Sequence, residues 1–175
     1  MHIPRTGGTS IEFQLRQSDP GLLGKKHESL FDIKERFDPT GYFKFSFIRN
    51  PWDIVISKYF APFYREINIL SGKTLLYFLN NYYRAKKEAG DSFFDYFDPS
   101  ELDFIGRFET RANDLKYISK KIGIKINSDF SVKAKEMQRA KSSKSFHEYY
   151  DEETRNIVYQ QYKDDIDFFG YQFPF

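Results

Sequence analysis

Phe43-Lys44-Phe45-Ser46-Phe47-Ile48-Arg49-Asn50-Pro51-Trp52-Asp53-Ile54-Val55-Ile56-Ser57-Lys58-Tyr59 is the stretch on which the fold turns. Phenylalanines alternate at 43, 45 and 47, the period of a strand with one apolar face. Asn50-Pro51 closes that run, and the period then changes. Trp52, Val55, Ile56, Tyr59, Phe60 and Phe63 fall three and four apart, which predicts a helix with one broad apolar stripe. Pro51 suits its first turn, where a missing N–H costs nothing, and Pro62 is expected to kink or end it.

The same grammar recurs on either side. Asp38-Pro39-Thr40-Gly41 signals a turn before the strand, and Asp19-Pro20-Gly21 with Gly24-Lys25-Lys26 signals a loop further upstream. The opening Thr6-Gly7-Gly8-Thr9-Ser10 turn leads into Ile11 and Leu15, four apart as on one helix face. Leu102 to Glu109 reads as a second strand, followed by a helix with Leu115, Ile118 and Ile122 inward and Gly123 as its stop. Asp151-Glu152-Glu153-Thr154 is a helix start, with carboxylates at the positive end of the dipole and Val158, Tyr162 and Ile166 as the inward stripe. Residues 66–100 carry helical stretches without clear bounds, and 133–144 is basic and serine-rich. Strand, turn and helix thus alternate through the chain, predicting a single α/β domain over 1–175 with a mainly parallel central sheet flanked by helices.

The 175 residues suffice for a real core, and 20 phenylalanines with 13 tyrosines build it on rings. The absence of cysteine excludes a disulfide framework, a zinc knuckle, an iron–sulfur cluster and a thiol nucleophile, and points to a reducing compartment, the cytoplasm. With 27 basic and 25 acidic side chains the formal charge is only +2, unlike a polybasic nucleic-acid binder. No stretch approaches the roughly 20 apolar residues of a membrane span. Glycines and an arginine directly after Met1-His2-Ile3-Pro4 give no cleavable signal pattern.

Two segments carry chemistry. Ile3-Pro4-Arg5-Thr6-Gly7-Gly8-Thr9-Ser10 enters a helix, where backbone N–H groups and the helix dipole favour an anion. Arg5 adds a full charge, and Thr6, Thr9 and Ser10 add hydroxyls, so the turn reads either as a phosphate- or sulfate-sized cradle or as a capped polar tail. It lacks the G-x-x-x-x-G-K-[ST] pattern of a Walker loop. Arg49 ends the phenylalanine strand, at the carboxyl edge where α/β sheets bind ligands, and Ser57 follows in the second turn of the next helix. Arg49 can fork onto two phosphate oxygens while Ser57 donates to the same group; the plain alternative is an arginine paired with a carboxylate and a serine on a solvated face.

Together these segments resemble the two cofactor-binding motifs of the 3′-phosphoadenosine-5′-phosphosulfate (PAPS)-dependent sulfotransferases, in particular their bacterial and glycan-acting branch. His2 to Ile11 differs at one position from that family's H-I-P-K-T-G-G-T-S-I loop, and Phe47, Arg49, Asn50, Pro51, Ser57 and Tyr59 match its F-x-R-N-P-x-x-x-x-x-S-x-Y. Phe104 to Glu109, Tyr149 to Arg155, Asp165-Ile166 and Phe169-Gly170-Tyr171 are similar to later family segments. The resemblance implies a P-loop-like three-layer fold and the transfer of a sulfonyl group from PAPS to an acceptor hydroxyl, most simply of a carbohydrate, without a metal. It places Arg5, Thr6, Gly7, Gly8, Thr9 and Ser10 on the 5′-phosphosulfate and Arg49 with Ser57 on the 3′-phosphate. Arg5 stands where the family has the lysine thought to stabilise the transferring group, a change that keeps the charge but alters its shape.

A general base is needed, and histidine suits the working pH. His27 falls between the two cofactor motifs, where several resembling glycan sulfotransferases place theirs; Glu28 is the fallback, and His2 and His147 read as structural and exposed bystanders. The basic 133–144 segment is either a solvated loop or a lid over the 3′-phosphate, and Arg107 with Glu109 either a surface pair or a frame for the acceptor. Two rival readings remain on the residues: a non-catalytic nucleotide- or glycan-binding protein on the same fold, and a small P-loop-like kinase. The kinase would need a magnesium-binding hydroxyl after a loop lysine, which the sequence lacks. Only Met1-His2-Ile3 precedes Pro4, so the first strand is expected to be short or truncated, with an exposed neighbouring edge.

Overall fold

A computed structural model of the chain describes residues 1, 3–18, 27–61, 74–85, 92–126 and 144–174. They group into two compact units, Met1–Arg49 with Phe93–Ala134, and Asn50–Ser92 with Lys135–Phe175.

The first unit is α/β. It holds α1 (Gly8–Ser18), α2 (Leu30–Lys34), β1 (Phe45–Ile48), β2 (Phe104–Arg107) and α5 (Arg111–Ile122), with α3 (Pro51–Tyr59) and α4 (Leu75–Ala85) of the chain lying in the second unit. The two strands pair in parallel, Phe45 opposite Phe104 through Ile48 opposite Arg107. No strand precedes α1 among the described residues. Register is pinned at the strand entry: the backbone N–H groups of Asp103 and Phe104 donate to the Lys44 carbonyl at 2.8 and 3.2 Å. In return the Lys44 N–H donates to the Asp103 carboxylate at 2.6 Å, which holds that carboxyl below its ordinary pKa.

The alternating phenylalanines do what their period implies. Phe47 is buried with Ile11 of α1 and with Leu115 and Ile118 of α5, while Phe43 and Phe45 pack against the same cluster. Both sides of β1 are covered, however, since Ser46 and Ile48 are buried as well. Gly123 ends α5 in the left-handed region, φ 71°, and the Ser119 hydroxyl then donates to the Ile124 carbonyl at 2.6 Å and accepts from the Ile126 N–H at 3.2 Å. That turn brings Ile124 and Ile126 back onto the core.

Gly106 lets the Phe47 ring lie against its backbone. A methyl group there would lie 2.6 Å from the Phe47 ring, its partner across the strands. Gly106→Ala is therefore expected to lower stability by about 1–3 kcal/mol through overpacking, read as a lower urea midpoint. Phe47→Leu in the same chain should relieve part of that loss, so the two changes should not add.

The second unit is helical: α3 (Pro51–Tyr59), α4 (Leu75–Ala85), α6 (Glu152–Gln161) and α7 (Lys163–Phe169), with a 3₁₀ turn at Phe146–Tyr149. Asn50 caps α3, accepting from the Trp52 N–H at 3.1 Å and donating to the Gln172 carbonyl at 3.1 Å. The Trp52 indole donates to the Arg155 carbonyl at 3.1 Å, and the Tyr150 hydroxyl donates to the Trp52 carbonyl at 2.8 Å. The stripe expected of α3 is too narrow a description, because Asp53, Ile54 and Lys58 are buried along with it. The Lys58 ammonium donates to the Tyr162 hydroxyl at 3.1 Å.

Val158, Tyr162 and Ile166 are all buried, as their spacing implies, but not on one continuous helix. Tyr162, at φ −113° and ψ 23°, separates α6 from α7. Asp151 caps α6, accepting from the Thr154 N–H at 2.8 Å and from its hydroxyl at 2.6 Å. These bonds hold the Asp151 carboxyl below its ordinary pKa. Asp151→Ala should cost about 1 kcal/mol. The contribution is present above the unfolded-state carboxylate pKa and fades as pH falls through the lower folded one, so wild type and variant should converge in urea titrations at acid pH. Among the described residues no helix is long and apolar enough to cross a membrane.

Candidate functional site

The opening loop, the end of β1 and the end of β2 meet in the first unit. Pro4 to Gly7 form a turn and α1 begins at Gly8, so the second glycine, Thr9 and Ser10 make the first helical turn. Gly7 has φ 84°, a conformation that only glycine takes without strain. The Ser10 N–H donates to the Gly7 carbonyl at 3.2 Å, and the buried Thr6 hydroxyl donates to the Ile3 carbonyl at 3.0 Å. The Thr6 hydroxyl is thus a brace inside the turn, while Thr9 and Ser10 are half-buried.

Arg5 is strained. Its φ of 67° puts a side-chain-bearing residue in the left-handed region, at a cost on the order of 1 kcal/mol or more. What holds it there is Arg49: this residue, 7% exposed, donates through its guanidinium Nη1 to the Arg5 carbonyl at 2.9 Å. The same guanidinium lies 3.9 Å from the centre of the Phe108 ring. One side chain at the end of β1 therefore ties the first loop to the residue that follows β2. The structure thus brings Arg5 and Arg49 into contact, with Gly7 beside the Phe108 ring.

Phe108 and Arg111 adjoin these residues, and sequence reasoning did not single them out. Arg111, the first residue of α5, stands 4.7 Å over the same ring. A methyl group on Gly7 would lie 2.6 Å from Arg111 Nη1 and 3.1 Å from the Phe108 ring, so the turn, the ring and this second guanidinium pack without room to spare. The Gly106-Arg107-Phe108-Glu109 motif was a usable signal for Phe108; nothing in the sequence singles out Arg111 from a polar first turn.

The remaining candidates are placed as follows. Ser57 is half-buried on α3, in the second unit. His27 is exposed, with φ 64°. Glu28 accepts from Arg36 in an ion pair. Arg107 donates its backbone N–H to the Asp114 carboxylate at 2.8 Å, which also accepts from the Thr110 hydroxyl at 2.7 Å. His147 is half-buried within the 3₁₀ turn that ends at Tyr149. His2 and the lid reading of 133–143 lie outside the described residues.

Guanidinium groups, a glycine turn that a single methyl would fill and a helix start make an environment for an anion. Comparison with known proteins agrees with that chemistry from a different part of the chain: residues 96–172 match the model of the Sulfotransferase family. That stretch contains β2, Phe108 and Arg111 but neither His2 to Ile11 nor Phe47 to Tyr59, so the match and the resemblance of the two opening motifs rest on different residues. The likeness to that family spans residues 96–172, less than half of the 175-residue chain. No curated protein and no solved structure matches the chain.

Proposed function

We propose that the protein transfers the sulfonyl group of PAPS to an acceptor hydroxyl, most simply on a carbohydrate, on a P-loop-like three-layer fold. The observation that carries the proposal is the Arg49 bond to the Arg5 carbonyl, which draws the two motifs of the resemblance together at one ring. In this reading the turn of Arg5, Thr6, Gly7, Gly8, Thr9 and Ser10 receives the 5′-phosphosulfate. Backbone N–H groups at the start of α1 and the Arg5 charge favour the negative charge that grows on the leaving oxygen. Arg49 serves the 3′-phosphate, and the resemblance adds the Ser57 hydroxyl as a second donor there.

His27 takes the acceptor proton as the acceptor oxygen bonds to sulfur; the bond from sulfur to the 5′-phosphate oxygen breaks, and its electron pair leaves with the adenosine 3′,5′-bisphosphate. A second observation favours this assignment of roles. Arg5 and His27 are the two non-glycine residues with positive φ among the described residues, and backbone strain of this kind gathers at functional sites. Histidine tolerates the left-handed region better than arginine, so Arg5 is the more telling of the two.

The test is transfer of labelled sulfate from PAPS to a panel of oligosaccharides in the presence of EDTA. Labelled product is expected on at least one glycan. A second reading, a protein that binds the nucleotide without turnover, draws on the presence of arginine rather than lysine at position 5. Binding of the bisphosphate with no transfer to any hydroxyl would select it.

A further inference from the structure

Beside Arg5 and Arg49, a second guanidinium, that of Arg111, stands over the Phe108 ring. Its position is specific. Arg111 Nη1 occupies the space beside Gly7 that any side chain at that position would enter, with 2.6 Å separating it from where a Cβ would stand. Arg49 reaches the ring at 3.9 Å from the end of β1, and Arg111 reaches it at 4.7 Å from the start of α5. An aromatic face attracts each cation. The sharing of Phe108 fixes both forks relative to the turn, which is the preorganisation that anion recognition needs.

We infer that Arg111 is a further binding residue of the loop, contacting the phosphate at the 5′ end of the nucleotide rather than the 3′-phosphate. The inference rests on the nucleotide reading above and adds to it a residue and an end. Gly7, the residue against which Arg111 packs, belongs to the motif assigned to the 5′ side, whereas Arg49 is assigned to the 3′ side. Arg111 thereby adds a second full charge beside the loop in which arginine replaces the family's lysine. It also explains why Gly7 has to be glycine on two counts, its φ of 84° and the guanidinium packed against it.

Ligand truncation separates the two ends. Adenosine 3′,5′-bisphosphate, adenosine 5′-monophosphate and adenosine 3′-monophosphate are titrated calorimetrically into wild type, Arg111→Met and Arg111→Lys. Methionine keeps an apolar stem against Phe108 without the charge, and lysine keeps the charge without the fork. Arg111→Met should weaken both ligands bearing a 5′-phosphate by about tenfold to a hundredfold, and leave the 3′-monophosphate within about twofold of wild type. Arg111→Lys should recover part of the loss. A merely structural Arg111 would weaken all three ligands alike or none, and either result overturns the inference while leaving the nucleotide reading intact. Failure of wild type to bind any of the three overturns both.

Discussion

Arg49→Ala is expected to weaken binding of adenosine 3′,5′-bisphosphate by about a hundredfold to a thousandfold. Two losses combine. A guanidinium that forks onto a phosphate makes two charge-assisted hydrogen bonds, each among the stronger single contacts a protein offers. The same side chain donates to the Arg5 carbonyl at 2.9 Å, so its removal also releases a strained turn. Arg49→Lys discriminates between these losses. Lysine retains a positive charge but cannot both donate to Arg5 and present a planar fork, so it should recover only part of the affinity. Because Arg49 is buried against Phe108, the alanine variant should also unfold at lower urea than wild type. Circular dichroism of each variant before titration separates weak binding from lost folding. Unchanged affinity in a folded Arg49→Ala protein would remove Arg49 from the site.

His27→Asn is expected to lower the rate of sulfate transfer by about a hundredfold to ten-thousandfold, with bisphosphate affinity within about twofold of wild type. Asparagine is chosen because His27 has φ 64°, a conformation asparagine accepts readily and alanine does not. The variant therefore removes the proton acceptor without a backbone penalty. Glu28 provides the internal comparison: it already accepts from Arg36, so Glu28→Gln should disturb that pair and leave turnover near wild type. Full activity in His27→Asn with a collapse in Glu28→Gln would reverse the two roles.

Much of the framework was legible because local signals agreed with the packing that formed. The phenylalanine period marks β1, Gly123 stops α5, and Asp151 with Thr154 starts α6, each through chemistry contained within a few residues. The break at Tyr162 was not legible. No proline or glycine interrupts Gln160 to Asp164, and the tyrosine spacing fits an unbroken helix; what marks the position in the structure is a buried hydroxyl that accepts from Lys58 of α3. Lys58 misleads for the same reason, since a lysine in a helix reads as a solvated face until a buried partner is found for it.

The site divides along the same line. The glycine turn and Arg49 announce themselves as motifs, because each is a short pattern with a physical reason for its spacing. That Arg49 holds the Arg5 backbone is a tertiary fact, and sequence alone offered it a ligand phosphate or a carboxylate, not a backbone carbonyl. Arg111 is hidden more deeply. Its role depends on a ring that follows one strand and a missing side chain in a loop far earlier in the chain, neither of which local periodicity can report.

On the proposed function, the opening turn and the arginine that follows β1 serve one nucleotide that carries anionic groups at both ends. Calorimetric titration of the wild-type chain in EDTA, with adenosine 3′,5′-bisphosphate and then with adenosine 5′-monophosphate, tests it most directly. The expected result is one-to-one binding of the bisphosphate in the micromolar range, at least about tenfold tighter than the monophosphate. No heat from the bisphosphate, or tighter binding of ATP once magnesium is restored, would contradict it.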